Sequence, residues 1–247
     1  MEEELKQLKT ENEILKRKNA AKFDLISISS HQLRTSLSAL KWTIKMFLDK
    51  DLGKISKEQE IFLSKSYENL EKMNNLVNDT LTLNNTENAK ELFKKKQTNI
   101  VELIKDTMFE FFGEAKKKNI SLKIGEVDKK IPEIKCNEKM IRVVLQNLIG
   151  NALKYNNPKG EITISIKNID NGIEIFVKDD GIGIGKEERD NIFQRFYRTE
   201  SAKKKEPVGS GLGLYTVKKI IEDHKGMISF KSEKNKGTTF FVILPLT

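Results

Sequence analysis

Apolar residues at Leu33, Leu37, Leu40, Ile44 and Phe47 recur at spacings of four, three, four and three. At about 100° per residue they form one stripe on a helix, which Ile26 extends backwards. His31 and Thr35 point about 160° away from the stripe centre, so an imidazole faces solvent with a hydroxyl one turn beyond it. Upstream, Leu5, Leu8, Asn12, Leu15 and Asn19 fit successive a and d positions of a heptad, and asparagine at a positions fixes register in a two-stranded coiled coil. The pattern predicts a parallel dimeric coiled coil over residues 1–22 that runs into the His31 helix without Gly or Pro. That helix is expected to end near Asp51-Leu52-Gly53. Ser56 is the predicted N-cap of a second helix reaching about Asn85, with Glu58 and Glu60 in its first turns. Leu63, Leu70, Met73, Val77 and Leu81 give this helix one apolar face. A hairpin with one stripe per helix cannot bury both stripes by itself, and dimerisation into a four-helix bundle solves that.

The pattern changes after a polar, lysine-rich stretch. Residues 23–86 form the expected helical domain, 87–98 a linker, and 99–247 a second domain. In the second domain a helix is expected over about 99–117 (Val101, Ile104, Met108, Phe111), then a short strand over Ser121–Ile124. Asn137 is the predicted cap of a helix over about 138–155. Alternating strands over 161–169 and 172–179 flank an Asn171-Gly172 turn, a hairpin signal. Short helices follow over about 186–194 and 212–224, and two last strands over 227–233 and 238–244. The expected fold class is α+β multidomain: an antiparallel helical hairpin forming a dimeric four-helix bundle, followed by a two-layer α/β sandwich.

Composition narrows the function classes. The net charge is +9 and charged residues make up 33%, but the basic residues are nearly all lysines scattered among glutamates. The reading is a solvated surface and no nucleic-acid partner. The single Cys136 excludes an internal disulfide and a cysteine-based zinc site. No apolar run approaches the ~20 residues of a membrane span, and the acidic N-terminus lacks a signal-peptide pattern. The expected location is cytoplasmic, and an upstream membrane sensor is compatible with the chain.

Four groups in the second domain carry chemistry. Asn147 and Asn151 lie one turn apart on a helix with Lys154 and Tyr155 beyond them. Two amide oxygens and an ammonium on one face suit Mg²⁺ and phosphates, because Mg²⁺ takes oxygen ligands and keeps substrate phosphates. Asp179-Asp180-Gly181-Ile182-Gly183-Ile184-Gly185 follows a strand. Its glycines let the backbone approach a flat ligand, and a carboxylate at a strand end can accept from an exocyclic amine. Phe193-Gln194-Arg195-Phe196-Tyr197-Arg198 is an aromatic and arginine cluster, and Gly209-Ser210-Gly211-Leu212-Gly213 opens a helix whose N–H groups suit phosphate. Thr199 to Val208 between them is polar and has the pattern of a mobile lid. Neither glycine group is a P-loop or a dinucleotide fingerprint. Each is weak alone, and their order and spacing together are specific.

From about residue 22 to 247 the chain resembles the bacterial two-component sensor histidine kinases. His31 to Leu37 looks like their H box, Asn147 to Tyr155 the N box, Asp179 to Gly183 the first G box, Phe193 to Arg198 the F box, and Gly209 to Gly213 the second G box. The resemblance implies an ATP-binding sandwich of the GHKL ATPase (Bergerat) type. It also implies phosphorylation of a ring nitrogen of His31 from Mg-ATP, passage to an aspartate on a response regulator receiver domain, and a homodimer. By the same resemblance Asn147 and Asn151 handle Mg²⁺, and Lys154 and Tyr155 line the phosphate side. Asp179, with Gly181 and Gly183, holds the adenine. Arg195, Gly209, Gly211, Leu212 and Gly213 shape the nucleotide site and lid, and Arg198 reaches the γ-phosphate. Arg34 and Thr35 flank the acceptor, and Thr35 matches the position that orients a water for hydrolysis of the regulator's acyl phosphate.

Two positions depart from the common H box. Gln32 stands where many members carry an acid, and it cannot take the ring proton, which predicts slow autophosphorylation. Ser36 replaces a helix-kinking proline, which predicts a straighter helix. A weakly active or phosphatase-dominant ATP-binding scaffold with the same fold is the alternative, supported by Gln32. Another GHKL ATPase is a further rival, against which the His31 hairpin argues. His224, just before Gly226, is read as a helix C-terminal cap.

Overall fold

The computed structural model describes Ser29 and residues 32–88, 95–207 and 209–246. The expected coiled coil over 1–22 and the position of His31 lie outside the described residues. The chain divides into two units, Met1–Lys90 and Glu91–Thr247.

In the first unit, helix α1 spans residues 32–48 and α2 spans Lys57–Asn88. Positive φ at Lys50 (68°) and Gly53 (109°) reverses the chain between them. Ser56 caps α2 as expected, but the residue that completes the cap is Gln59. Gln59 N–H donates to Ser56 Oγ at 3.2 Å, and Ser56 N–H donates to Gln59 Oε1 at 2.8 Å, a reciprocal capping box. Lys41 crosses the hairpin to Glu71 at 2.8 Å and lies over the Tyr67 ring. Leu70 is the one buried apolar residue of this unit among the described residues, while Leu33, Leu40, Trp42, Ile61, Phe62 and Met73 are each more than half exposed. On the stripes themselves Leu33, Leu40 and Met73 are exposed, while Leu37, Ile44, Phe47, Leu63 and Val77 are half-buried, so the single chain covers the stripes only in part.

Among the described residues the second unit has a mixed five-stranded sheet, a two-stranded sheet and four α-helices. Its elements are β1 (Lys96–Thr98), α3 (Ile100–Lys117), β2 (Ser121–Val127), β3 (Ile134–Cys136), α4 (Glu138–Tyr155), β4 (Glu161–Ile169), β5 (Gly172–Asp179), α5 (Glu200–Lys205), α6 (Gly213–Asp223), β6 (Met227–Glu233) and β7 (Gly237–Pro245). The sheet order is β2-β4-β5-β7-β6; β2 and β4 are parallel and the other neighbours antiparallel. Period-2 alternation puts Ile162, Ile164 and Ile166 of β4 and Ile173, Ile175 and Val177 of β5 on one buried face. The apolar stripes of α3, α4 and α6 cover that face. Each fully buried side chain of this size contributes about 1.5–3 kcal/mol.

Four local expectations change. β1 lies inside the stretch read as linker: Thr98 is buried and the strand pairs with β3, itself too short to show in the pattern. The β4–β5 loop is Asp170-Asn171, one residue earlier than read, because Gly172 is already in the strand. A Cβ at Gly172 would lie 2.2 Å from the Leu244 carbonyl oxygen. The expected helix over 186–194 is a 3₁₀ segment, Lys186–Asn191. The stretch read as an unstructured lid contains α5, capped by the Thr199 hydroxyl, which accepts from Ala202 N–H at 3.1 Å.

Candidate functional site

Asp179 ends β5, the central strand, and is 7% exposed. Oδ1 accepts from Gly181 N–H at 2.8 Å and from Thr238 N–H at 3.3 Å. Both backbone donors use one oxygen, which leaves Oδ2 for an incoming donor. Burial pushes the carboxyl up to about 6; the two backbone donors and the charge of Lys205 work against that, and Asp180 adds to it. Lys205, at the end of α5, donates to Asn157 Oδ1 at 3.0 Å. The α5 segment is thereby held to the chain just past α4, with its ammonium close enough to Asp179 to favour the ionised carboxyl.

The glycine loop after Asp179 is held from both sides. Ile182 N–H donates to the Tyr155 carbonyl at the end of α4 (3.0 Å), and its own carbonyl accepts from Asn235 N–H in the β6–β7 turn (2.7 Å). Ile184 N–H donates to Ser232 Oγ at 2.8 Å, and Arg189 donates to the Ser232 carbonyl. Only glycine fits at Gly183: φ is +63°, and a Cβ would lie 2.0 Å from the Glu233 carbonyl oxygen.

The other half of the site lies between α4 and α6. Asn147 Nδ2 donates to the Val143 carbonyl at 2.9 Å, which turns Oδ1 outward. Oδ1 faces the start of α6, where a Cβ on Gly213 would come within 2.6 Å of it. Asn151, one turn on and half-buried, makes no side-chain hydrogen bond among the described residues, and Lys154 is exposed. No side chain caps α6 and no acid lies in its first turn. Its first N–H groups therefore suit an anion beside the Asn147 oxygen. Among the described residues no cluster of three His, Cys, Asp or Glu forms a metal cage. The donor set suits a Mg²⁺ carried in on phosphates and held by two amide oxygens.

The aromatic and arginine cluster joins these halves. Phe193 packs edge-on against Phe230 at 5.9 Å. Arg195 lies 4.6 Å over the Tyr215 ring and donates to its hydroxyl at 2.7 Å. Phe196 N–H donates to the Gly211 carbonyl at 3.1 Å. Arg198 is not outstretched toward a ligand: it donates to the carbonyls of Ala202 (3.2 Å), Glu206, Pro207 (3.2 Å) and Gly209 (3.4 Å). This clamp gathers four carbonyls, from Ala202 in α5 to Gly209, around one guanidinium.

The structure thus brings together Asn147, Asn151 and Gly213, and separately Asp179, Gly181 and Gly183. Gln32, Arg34 and Thr35 stand exposed on α1 in the other unit. Sequence reasoning missed Thr238, Lys205, Asn157, Ser232 and the β6–β7 turn. Each is a common residue type whose role comes from a long-range contact. His224 has the expected bond to its own helix end, Nδ1 to the Ile220 carbonyl at 2.7 Å, but its ring is buried and also reaches α4.

Two family descriptions match the chain: "His Kinase A (phospho-acceptor) domain" over residues 21–89, and "Histidine kinase-, DNA gyrase B-, and HSP90-like ATPase" over residues 136–247. Sensor protein SrrB of Staphylococcus aureus is 32% identical over 91% of this chain and 38% of its own length. Among solved structures, full-length ShkA in complex with AMPPNP is 25% identical, with a TM-score of 0.72 over 91% of this chain and 46% of that one. The catalytic domain of histidine kinase ThkA is 30% identical, with a TM-score of 0.54 over 62% of this chain and 97% of that domain. The chain spans less than half the length of the curated relatives it matches. No described helix is long and apolar enough to cross a membrane.

Proposed function

The chain belongs to the sensor histidine kinases, and from that premise we propose that it is an ATP-dependent protein-histidine kinase acting as a homodimer. ATP binds in the Glu91–Thr247 unit. The γ-phosphoryl group moves to a ring nitrogen of His31 and then to an aspartate of a response regulator receiver domain. The observation that carries this reading is the two-ended site. A buried carboxylate at the end of β5, with its Oδ1 already satisfied, suits an adenine amine. An uncapped helix N-terminus beside the Asn147 oxygen suits a triphosphate.

In this mechanism the neutral His31 nitrogen attacks the γ-phosphorus, the N–P bond forms, the bridging P–O bond breaks and ADP leaves. Mg²⁺, when bound, neutralises charge on the phosphates. Asn147 and Asn151 would hold it, and Lys154 adds a positive charge on the same side. Asp179 orients the base, and the N–H groups of Gly213 and its neighbours hold phosphate oxygens. Leu33 and Leu40 on the α1 stripe and Met73 on the α2 stripe, all exposed, support the dimer. Thr35, exposed on α1, supports a second activity, hydrolysis of the regulator's acyl phosphate through an oriented water.

Incubation with γ-labelled ATP and Mg²⁺ tests the proposal. Acid-labile, alkali-stable label that moves to a receiver domain is expected. Absence of label at saturating ATP would leave the scaffold reading in its place. Gln32 gives a graded check. An acid at this position can accept the departing ring proton, which a Gln carbonyl cannot. Gln32→Glu is expected to raise the labelling rate about 10²-fold, the lower end of the 10²–10⁴ range of general-base help. An unchanged initial rate would remove Gln32 as the cause of slow transfer.

A further inference from the structure

His224 is 3% exposed and the reaction makes no direct use of it. Its Nδ1 lies 2.7 Å from the Ile220 carbonyl, and its Nε2 accepts from Asn137 N–H at 3.1 Å. A carbonyl can only accept and an amide N–H can only donate, so one form satisfies both contacts: the neutral ring with its proton on Nδ1. Asn137 is the N-cap of α4, its side chain already committed to Met140 N–H at 3.1 Å. The imidazole therefore joins the last turn of α6 to the first turn of α4.

The same two helices meet again where Gly213, the first residue of α6, lies against Asn147 Oδ1 in the middle of α4. Gly213 faces Asn147 and His224 faces Asn137, so the helices run antiparallel. Asn137 precedes Asn147 by ten residues and His224 follows Gly213 by eleven. At 1.5 Å per residue these spans are about 15 and 16.5 Å, nearly matched. A slide of one residue would break the imidazole contact and move Asn147 about 1.5 Å along the α6 N-terminus. We propose that His224 is a positioning residue for the nucleotide site: its ring pins the register of α6 against α4 and so sets where the Asn147 oxygen stands relative to the phosphate-binding N–H groups.

This rests on the nucleotide reading of the site. Burial holds the imidazole below the ordinary histidine value, the Ile220 bond opposes that, Lys95 adds to it and Asp223 opposes it. Cys136, beside Asn137, is kept as the thiol by burial. Glu138 is paired with Lys96 at 2.5 Å and with Arg142. A proton on Nε2 would face the Asn137 N–H, donor against donor.

The test compares Mg-ATP affinity by calorimetry with adenosine affinity by NMR titration, in wild type, His224→Leu and His224→Gln at pH 7.5. Gln keeps an acceptor near the Nε2 position; Leu keeps none. Expected is a loss of about tenfold in Mg-ATP affinity for Leu, with adenosine affinity unchanged, and recovery to within about threefold for Gln. Equal losses for both ligands, or none for either, would make the ring merely structural and overturn the proposal. Should the Leu variant fail to fold, wild type against Gln decides. As pH falls below the ordinary histidine value of about 6.5, to the acid limit of folding, the ratio of Mg-ATP to adenosine affinity falls further in wild type than in Gln, and parallel profiles down to that limit overturn the proposal. A wild type that binds neither ligand at pH 7.5 overturns the nucleotide reading itself, a separate result from a wild type that binds both and a Leu variant that matches it.

Discussion

A His31→Gln chain is expected to take up no acid-labile phosphate while binding ATP with unchanged affinity. His31 and the nucleotide residues belong to different units, so the substitution leaves Asp179, Asn147 and α6 in place. Glutamine carries a neutral amide with no nucleophilic ring nitrogen, so it removes the acceptor and keeps a polar side chain on a helix. The label in the wild type should be lost in acid, because protonation of the phosphorylated ring makes imidazole a good leaving group, and kept in alkali. Phosphoramidate analysis of the two chains, with the label followed in acid and in alkali, checks both. Label persisting in His31→Gln would move the acceptor elsewhere.

The order of elements was legible because hydrophobic period and punctuation agreed. The strands at 161–169 and 172–179 alternate apart from Asn168-Ile169 and Phe176, and β4 and β5 occupy those spans. Asn137 was readable as a cap because an Asx residue stands before an amphipathic run, and its side chain accepts from Met140 N–H. What failed to show was whatever depends on partners far along the chain. β1 and β3 are three residues each, and neither contains enough positions to display a period. α5 has six residues, four of them charged, so its pattern is that of a loop. It is helical because Thr199 caps it and Arg198 gathers its carbonyls.

The candidate site divides the same way. Asp179, Gly181 and Gly183 are legible only through the order and spacing of their group with the other three, since a glycine-rich turn after a strand is weak alone. Thr238 is as much a part of the Asp179 environment as Gly181, donating to the same oxygen. It looks like any strand threonine, because the sheet register that sets Asp179 opposite Thr238 is invisible in the sequence. His224 is the sharpest case: proximity to Gly226 suggested a helix end and gave one of its bonds, while the bond to Asn137 spans 87 positions.

Asp179→Asn is expected to weaken ATP binding about 10²–10³-fold while raising the melting temperature of the nucleotide-free chain. The two effects have one origin. In the empty site the carboxyl is raised to about 6 from 3.8 by burial. A raised acid favours its protonated form in the folded state, so its contribution to stability is full below pH 3.8 and lost as pH rises through about 6. At pH 7 the ionised carboxylate therefore costs the empty fold on the order of 2–3 kcal/mol, which the neutral amide removes. In the bound state the sign reverses. Oδ1 of the new Asn keeps the bonds from Gly181 and Thr238, so Nδ2 replaces the free oxygen. It meets the adenine amine donor to donor, forfeiting a charge-assisted bond and leaving a buried N–H unpaired, together about 3–4 kcal/mol. Wild-type affinity should accordingly fall as pH drops below about 6, and the Asn variant should lack that limb. Melting curves without nucleotide and calorimetric titration with ATP over pH 5–8 read both quantities. A variant that loses stability and affinity together would mean that Asp179 supports the loop and does not recognise the base. The opposed signs arise only if burial has left a carboxylate strained in the empty site and satisfied by the ligand.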